Sequence, residues 1–570
     1  MVKRMSEEKI SRRGYMKYAG AGIVVVAAAG AGAYYATRPP GPSATTTAAT
    51  TTAGPKYGGS LIFYFQGEPA PLNPITQMHD FTLCVSGSIF DRLLWRDLEN
   101  TLYPDLAKAL PNVSADGKTY TFELVENAVW HDGEPFTADD VVFTFTDAAP
   151  KGCPSYPAFY GAVDSVTALG QHSVEFKLKQ ADPDLLLHLS QVYAASILPK
   201  HLFEGIDIND NQYNQSPIGT GPFKFKEWQK GTSITVEKNA AYFMEGKPYL
   251  DKIIFRVVAS ESTAFQAYKT GELDYLWNIS YSTSVDWKND PNTEIGAPDS
   301  PMLPMWKFQW NLRNPIRKGT GDNPLAKKEV RQALYHATDM QELFEKVYYG
   351  YGRLLTGPLA DSPFTHQYYN PNVKGYPYDI EKAKQLLDQT GYTEDSSGKR
   401  FKLVCKLPNF APFITDVELV RAQWARIGVE MENVIQEDML WLEDNFMFKE
   451  GDIGPNFQMN IGYYYGGPTP TDAMQHLETK NMIAAYFFNN MGYSNLRVDE
   501  LMDKQMYEND VKKRAEMLGE VQAIVMEDPP ELYQVCVSGL LAWPKWFHNM
   551  PIPVNVPAEA YFDVWTEKPR

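Results

Sequence analysis

The chain has 570 residues, which gives room for two to four domains and a large hydrophobic core. A formal net charge of −17 excludes nucleic-acid binding driven by clustered Lys and Arg, and suits a well-solvated surface. Cys84, Cys153, Cys405 and Cys536 are far apart with no C-x-x-C, and the nine histidines form neither H-x-x-x-H nor H-E-x-x-H. Zinc, thioredoxin-type and metalloenzyme chemistry therefore have no motif here, no cofactor is implied, and one disulfide outside the cell stays open.

Residues 1–17 are basic, with Lys3, Arg4, Lys9, Arg12, Arg13 and Lys17, and the run Ser11-Arg12-Arg13-Gly14-Tyr15-Met16-Lys17 resembles a twin-arginine export signal. Residues 18–37 carry no charge and are just long enough to span a bilayer at about 1.5 Å per residue. By the positive-inside rule the basic flank stays in the cytoplasm and the bulk of the chain lies outside. Ala31-Gly32-Ala33 fits a small-residue cleavage site, while the length of the run favours an uncleaved membrane anchor; both readings stand. Residues 38–56 are a Thr/Ala/Pro-rich linker, either a glycosylated stalk or a plain spacer.

The globular part opens at Tyr57 with Gly58-Gly59 and the strand Leu61-Ile62-Phe63-Tyr64-Phe65, apolar on both sides as a buried strand is. QGEPAPLNP follows at its carboxyl end, where α/β folds place ligands, so Glu68 is a candidate ligand carboxylate beside the plainer reading of a solvated loop acid. Residues 119–124 alternate apolar and polar and predict a strand entered through Asp116-Gly117. A turn at Asp132-Gly133 follows, then a helix capped by Thr137 and Asp140. In residues 216–255, Gly219 and Gly221 beside Pro222 allow a tight turn, and Phe223, Phe225, Ile234 and Val236 predict a hairpin. No Gly-Lys-Ser/Thr follows these glycines, which dismisses a phosphate loop.

Two helices are predicted over residues 323–350, the first carrying Val330, Ala333, Leu334 and Ala337 on one face, the second capped by Asp339 and Glu342. A helix over residues 379–390, closed by Gly391, precedes a strand at 401–407, a helix at 417–427 and a strand at 429–435, a right-handed βαβ unit. The strand at 457–465 ends in Tyr463-Tyr464-Tyr465-Gly466-Gly467-Pro468. Because side chains alternate along a strand, three successive tyrosines do not all enter one core, and such a carboxyl end lines the crevice of an open α/β sheet. Tyr463, Tyr464, Tyr465 and Gly466 are accordingly the main ligand-binding candidates, with Trp277, Trp306 and Trp310 as further aromatics better suited to a core. A helix at 510–526, with Val511, Met517, Val521 and Val525 inward, and one return strand at 532–543 complete the chain.

The wording LYPDLAKALPNVSADGKTYTFEL followed by VWHDGEPFTADDVVFTF closely resembles the signature of the family 5 extracellular solute-binding proteins. Residues 216–255, Thr270-Gly271-Glu272-Leu273-Asp274 and the run from Asn323-Pro324-Leu325-Ala326 through Val330-Arg331-Gln332-Ala333-Leu334 resemble the same family. The resemblance implies an α/β, two-lobed periplasmic-binding-protein-like fold (type II, large cluster with an extra subdomain), with mixed sheets, flanking helices and an interlobe cleft. It implies lobe I at 57–92, 205–310 and 535–570, an inserted subdomain at 93–204 and lobe II at 311–534. It further implies the extracellular component of an ABC importer, with an oligopeptide-class or oligosaccharide solute and a membrane permease as partners. The family also serves nickel chelates and haem, which no histidine cluster supports here, and its frequent lipid anchor is not available because no cysteine follows the apolar run. In peptide-binding relatives, the segment equivalent to 463–466 carries a Trp and, three residues on, an Asp that pairs with the ligand's amino terminus; here those positions are Tyr463 and Gly466. Two readings of other classes compete: a secreted hydrolase such as a glycosidase, for which no carboxylate pair stands out, and a surface-layer or adhesion protein, for which no repeats are found.

Overall fold

The computed structural model of the chain describes residues 54–97, 100–296, 304–316, 321–362, 365–446, 454–465, 469–482, 489–537, 539–551 and 561–568. β1 (Ser60–Phe65) is buried on both faces, as its unbroken apolar run requires, and α1 (Asp80–Ile89) follows its loop. The short hairpin of β2 (Leu94–Arg96) and β3 (Leu102–Pro104) leads into a four-stranded antiparallel sheet. That sheet consists of β4 (Asn112–Val113), β5 (Thr119–Glu123), β6 (Val163–Gly170) and β7 (Ser173–Leu178), in the order β4-β5-β7-β6. Tyr120 and Phe122 of β5 point into the core, and α2 (Ala138–Phe143) begins where Asp140 reaches back to accept the Thr137 backbone N–H at 2.9 Å. α3 (Leu185–His188) lies near the end of this inserted region.

β8 (Phe223–Gln229) and β9 (Ser233–Lys238) form the expected hairpin, and β10 (Lys252–Val257) places itself between β9 and β1, parallel to the latter. His131 joins the two sequence blocks that carry the family resemblance. Its Nδ1 accepts the Gly219 N–H at 3.2 Å, so its Nε2–H donates to the Gly221 carbonyl at 3.0 Å. Burial lowers the His131 pKa to about 4, which keeps this tautomer neutral. Gly219 is required for close approach: a Cβ there would lie 1.9 Å from the Ile89 carbonyl oxygen of α1. β11 (Leu276–Ile279) and β12 (Thr293–Gly296) end this part of the chain.

The second body is built on a six-stranded sheet. β13 (Pro304–Trp310) is followed by α4 (Lys328–His336), α5 (Met340–Lys346), the short β14 (Arg353–Leu354) and α6 (Ile380–Gln389). Then come β15 (Phe401–Pro408), α7 (Ala411–Ala425), β16 (Val429–Gln436), α8 (Asp438–Phe446) and β17 (Met459–Tyr465). The chain continues through α9 (Pro470–Met474), α10 (Leu496–Gln505), α11 (Val511–Glu527), β18 (Glu531–Cys536) and β19 (Leu540–Pro544). The order is β14-β18-β13-β17-β15-β16, with β15 and β16 parallel as a βαβ unit demands.

Three expectations need correction. β13, read as the end of the first lobe, hydrogen-bonds to both β17 and β18 and so is a central strand of the second sheet. The single return strand is two: β18 belongs to this sheet, while β19 sits between β11 and β12 in another. Val511, expected inward, is exposed, because it is the first helical residue after the cap Asp510. All four cysteines are buried and none is in a disulfide.

The buried apolar side chains fall into two clusters. One joins β1, β10 and the inserted sheet through Phe63, Phe255, Phe122 and Phe176; the other fills the second body around Phe308, Trp310, Trp424 and Leu532 and reaches into the first through Tyr64, Leu276, Ile279 and Tyr281. β19 divides between them, Leu541 and Trp543 entering the first cluster and Leu540 and Ala542 the second. The chain passes between the two bodies at the β12–β13 and β18–β19 connections, and beside them apolar packing crosses the boundary, with Tyr281 edge-on to Tyr348 at 6.0 Å. Among the described residues no helix is long and apolar enough to cross a membrane, and residues 1–53, with the export signal and anchor read from sequence, lie outside them.

Candidate ligand-binding site

The carboxyl end of β17 is fixed by its neighbour β13: Tyr463 is opposite Trp306, Tyr464 opposite Met305 and Tyr465 opposite Pro304. Met305 in turn pairs with Cys536, and Cys536 with Arg353, so these residues form one row across four strands at this end of the sheet. The side chains of Tyr463, Tyr464 and Tyr465, and all of Gly466, lie outside the described residues.

Beneath that end, one face of the sheet carries a buried polar group. β13 sends Phe308 and Trp310 into the apolar core on one side and Lys307 and Gln309 to the other. Lys307 Nζ donates to Glu531 at 2.9 Å, His476 Nε2 lies 3.0 Å from both Lys307 Nζ and Glu531 Oε2, and Gln309 Nε2 donates to Glu531 Oε1 at 3.0 Å. Asn490 extends the network, donating to the Gln309 side-chain oxygen at 3.2 Å. Lys307, Glu531 and His476 are essentially without solvent contact. Burial alone raises a carboxyl pKa, but Lys307 and His476 hold Glu531 well below the usual range; burial, reinforced by Lys307, pushes His476 down, so the histidine stays neutral. The result is a paired ammonium–carboxylate that ties residue 476, ten residues beyond Gly466, to the sheet that ends in Tyr463–Tyr465.

The first body contributes an aromatic shelf at the carboxyl end of β1. Phe65 stacks on Phe81 with centroids 4.6 Å apart, and Phe81 meets Trp277 edge-on at 5.9 Å. Trp277 is half-buried, and a Cβ added at Gly539, where the chain crosses between bodies, would lie 4.0 Å from its Nε1. Glu68 is exposed and held by its neighbours: its Oε1 accepts the Trp228 indole N–H at 2.6 Å and its Oε2 the Gly231 backbone N–H at 2.9 Å. These bonds tie the loop after β1 to the end of β8 and the turn that follows it. Trp310 is wholly buried in the second core, edge-on to Tyr335 at 5.9 Å, as suits a core residue.

Sequence reading missed Lys307, Glu531 and His476. A signal existed: in Pro304–Trp310 the polar residues occupy one parity and the large aromatics the other, which marks a strand with a second, polar buried face. Among the described residues no group of three His, Cys, Asp or Glu side chains is placed to hold a metal ion.

Two sheet-based bodies, with the chain passing between them at the β12–β13 and β18–β19 connections, define a two-lobed protein of the solute-binding type. Residues 101–481 match the family model of bacterial extracellular solute-binding proteins, family 5 Middle, and the chain belongs to that family. It is similar to the oligopeptide-binding protein AppA of Bacillus subtilis, 27% identical over 512 residues that cover 86% of this chain and 88% of the relative. Di/tripeptide-binding protein 1 of Pseudomonas aeruginosa is 28% identical over 503 residues, covering 83% and 88%. The solved structure of B. subtilis AppA in complex with a nonapeptide superposes with a TM-score of 0.75 at 25% identity, covering 90% of this chain and all of that one.

Proposed function

We propose that this protein is the extracellular substrate-binding component of an ABC importer, capturing an oligopeptide-class solute between its two bodies and delivering it to a membrane permease. It works by hinge closure and needs no covalent chemistry. The observation that supports the reading best is the family match over residues 101–481; the end of β17, with Tyr463, Tyr464 and Tyr465 in register with Trp306, Met305 and Pro304, is the segment that the resemblance likens to the ligand segment of peptide-binding relatives. Residues 18–37 tether the protein to the outer face of the membrane, with residues 38–56 as spacer.

Gly466 gives specific support to a second reading. Peptide-binding relatives place a carboxylate at this position, and a buried peptide ammonium left unpaired would cost several kcal/mol, roughly. An oligosaccharide needs no such partner and stacks its apolar faces on aromatic rings. Thermal titration with peptide and oligosaccharide panels separates the readings, since a bound solute at about 100 times its Kd stabilises by about 2.7 kcal/mol. A shift with peptides supports the first reading, a shift with sugars alone the second, and no shift with either sinks both.

A further inference from the structure

A polar junction connects the inserted subdomain to the second body. Asp184, at the start of α3, receives a two-pronged ion pair from Arg514 of α11, with Arg514 Nη1 2.7 Å from Asp184 Oδ1 and Nη2 bonded to Oδ2. Thr471 of α9 donates to Asp184 Oδ2 at 3.2 Å and accepts from Arg514 Nη2 at 3.0 Å. Gln505 of α10 accepts from Arg514 Nε at 3.0 Å, and the guanidinium carbon lies 5.3 Å from the Tyr368 ring centroid. One turn on from Asp184, His188 Nε2 lies 3.4 Å from Asp472 Oδ2. The turn at Gly117 abuts the same body, a Cβ there lying 3.1 Å from the Asn509 side-chain nitrogen.

This junction differs from the cores on either side. Leu185 belongs to the first apolar cluster and Met474, Leu501 and Leu518 to the second, while the residues that meet between them are charged or polar. Interfaces between domains of one chain are more polar than obligate ones, and relative motion is expected across them unless they are large and hydrophobic. An ion pair is resolvated each time it opens, at the cost of its mutual attraction, and its two-pronged geometry accepts one register only. Its second-body members Thr471 and Asp472 follow the candidate ligand segment 463–468 by only a few residues.

We propose that Asp184, Thr471 and Arg514 form a latch that engages when the two bodies close over the solute, so that part of the solute's affinity resides in a contact the solute never touches. The proposal rests on the receptor reading for its purpose and on the junction geometry for its existence. Closure brings the guanidinium and carboxylate together; opening returns both to water. A ligand-free protein therefore owes the pair little stability, whereas the closed, loaded protein depends on it.

Three variants test this: Arg514→Met, Asp184→Asn, and the charge exchange Asp184→Arg with Arg514→Asp. The first arm needs no solute. Ligand-free melting of Arg514→Met and Asp184→Asn is expected within about 2 °C of wild type, because the open state solvates the remaining partner. A fall of about 5 °C or more would show a fixed interface and overturn the latch. The second arm uses a tryptic digest of casein as the probe, read by thermal shift and calorimetry. Both single variants are expected to bind at least about 10-fold more weakly, through faster dissociation, and the charge exchange to recover part of the loss. Unchanged binding in the single variants would also overturn the latch. If wild type ignores the digest, the receptor's peptide specificity fails, while the first arm still decides the latch.

Discussion

Replacing Lys307 with methionine leaves the Glu531 carboxylate buried beside His476 and Gln309 with no permanent positive partner. Breaking a buried ion pair from one side costs about 3–5 kcal/mol. For a body of some two hundred residues, each kcal/mol moves the melting temperature by roughly 2–4 °C, so the second lobe should melt about 10 °C lower. The deficit should depend on pH in a defined direction. In the wild type the His476 pKa is held below its ordinary 6.5, by burial first and then by Lys307, so protonation there disfavours the fold and stability declines below that pH. In the variant the repulsion from Lys307 is gone and Glu531 remains, so His476 protonates more readily in the folded state than it does in the wild type, and the loss of stability on going below the unfolded pKa is smaller. Differential scanning calorimetry at about pH 8 and about pH 5.5 should therefore show a large deficit at the higher pH and a smaller one at the lower. A deficit equal at both, or below about 2 °C throughout, would refute the reasoning.

Asp416 is buried, accepts from Tyr348 and from Gln534 Nε2 at 2.9 Å, and burial raises its pKa to about 6. A raised carboxyl costs stability wherever it must ionise, so the wild type should gain stability as pH falls from about 7 toward 4. Asp416→Asn should stabilise by up to about 3 kcal/mol near pH 8, from roughly two pKa units, and lose the advantage near pH 4. The Gln534 amide can turn to meet the new donor, since its Oε1 has no hydrogen-bond partner among the described residues; destabilisation at pH 8 would contradict this. Gly219→Ala should destabilise by about 3 kcal/mol, because its Cβ meets the backbone of α1. Gly133→Ala meets no atom within 4 Å and strains only its positive φ of 100°, so it should cost about 1 kcal/mol in the same melts. Tyr463→Ala and Tyr465→Ala should weaken solute binding while leaving circular dichroism and melting unchanged; unaltered affinity in both would displace the site from β17.

Much of the scaffold was legible because its signals are local. Asp140 accepting from Thr137, Asp339 capping α5 and Gly391 ending α6 each depend on a few neighbouring residues, and each occurs where sequence placed it. Strand membership was harder, since Pro304–Trp310 reads the same at the edge of one lobe or the centre of another; only pairing with β17 and β18 decides. The site was less legible for the same reason. The bonds that hold Glu68 come from Trp228 and Gly231, more than 150 residues away, and nothing in its own loop announces them. Lys307, His476 and Glu531 come together from 224 residues of sequence, with no local spacing to announce them.

The central claim is that a peptide-class solute occupies the space between the two bodies. Mass spectrometry of small molecules released by mild denaturation of the protein, purified from its native host without exchange, tests it most directly. The account predicts a short peptide, or a family of them, at near-stoichiometric amount. An oligosaccharide or a nickel chelate in its place would contradict it, and a sugar would trace the difference to Gly466.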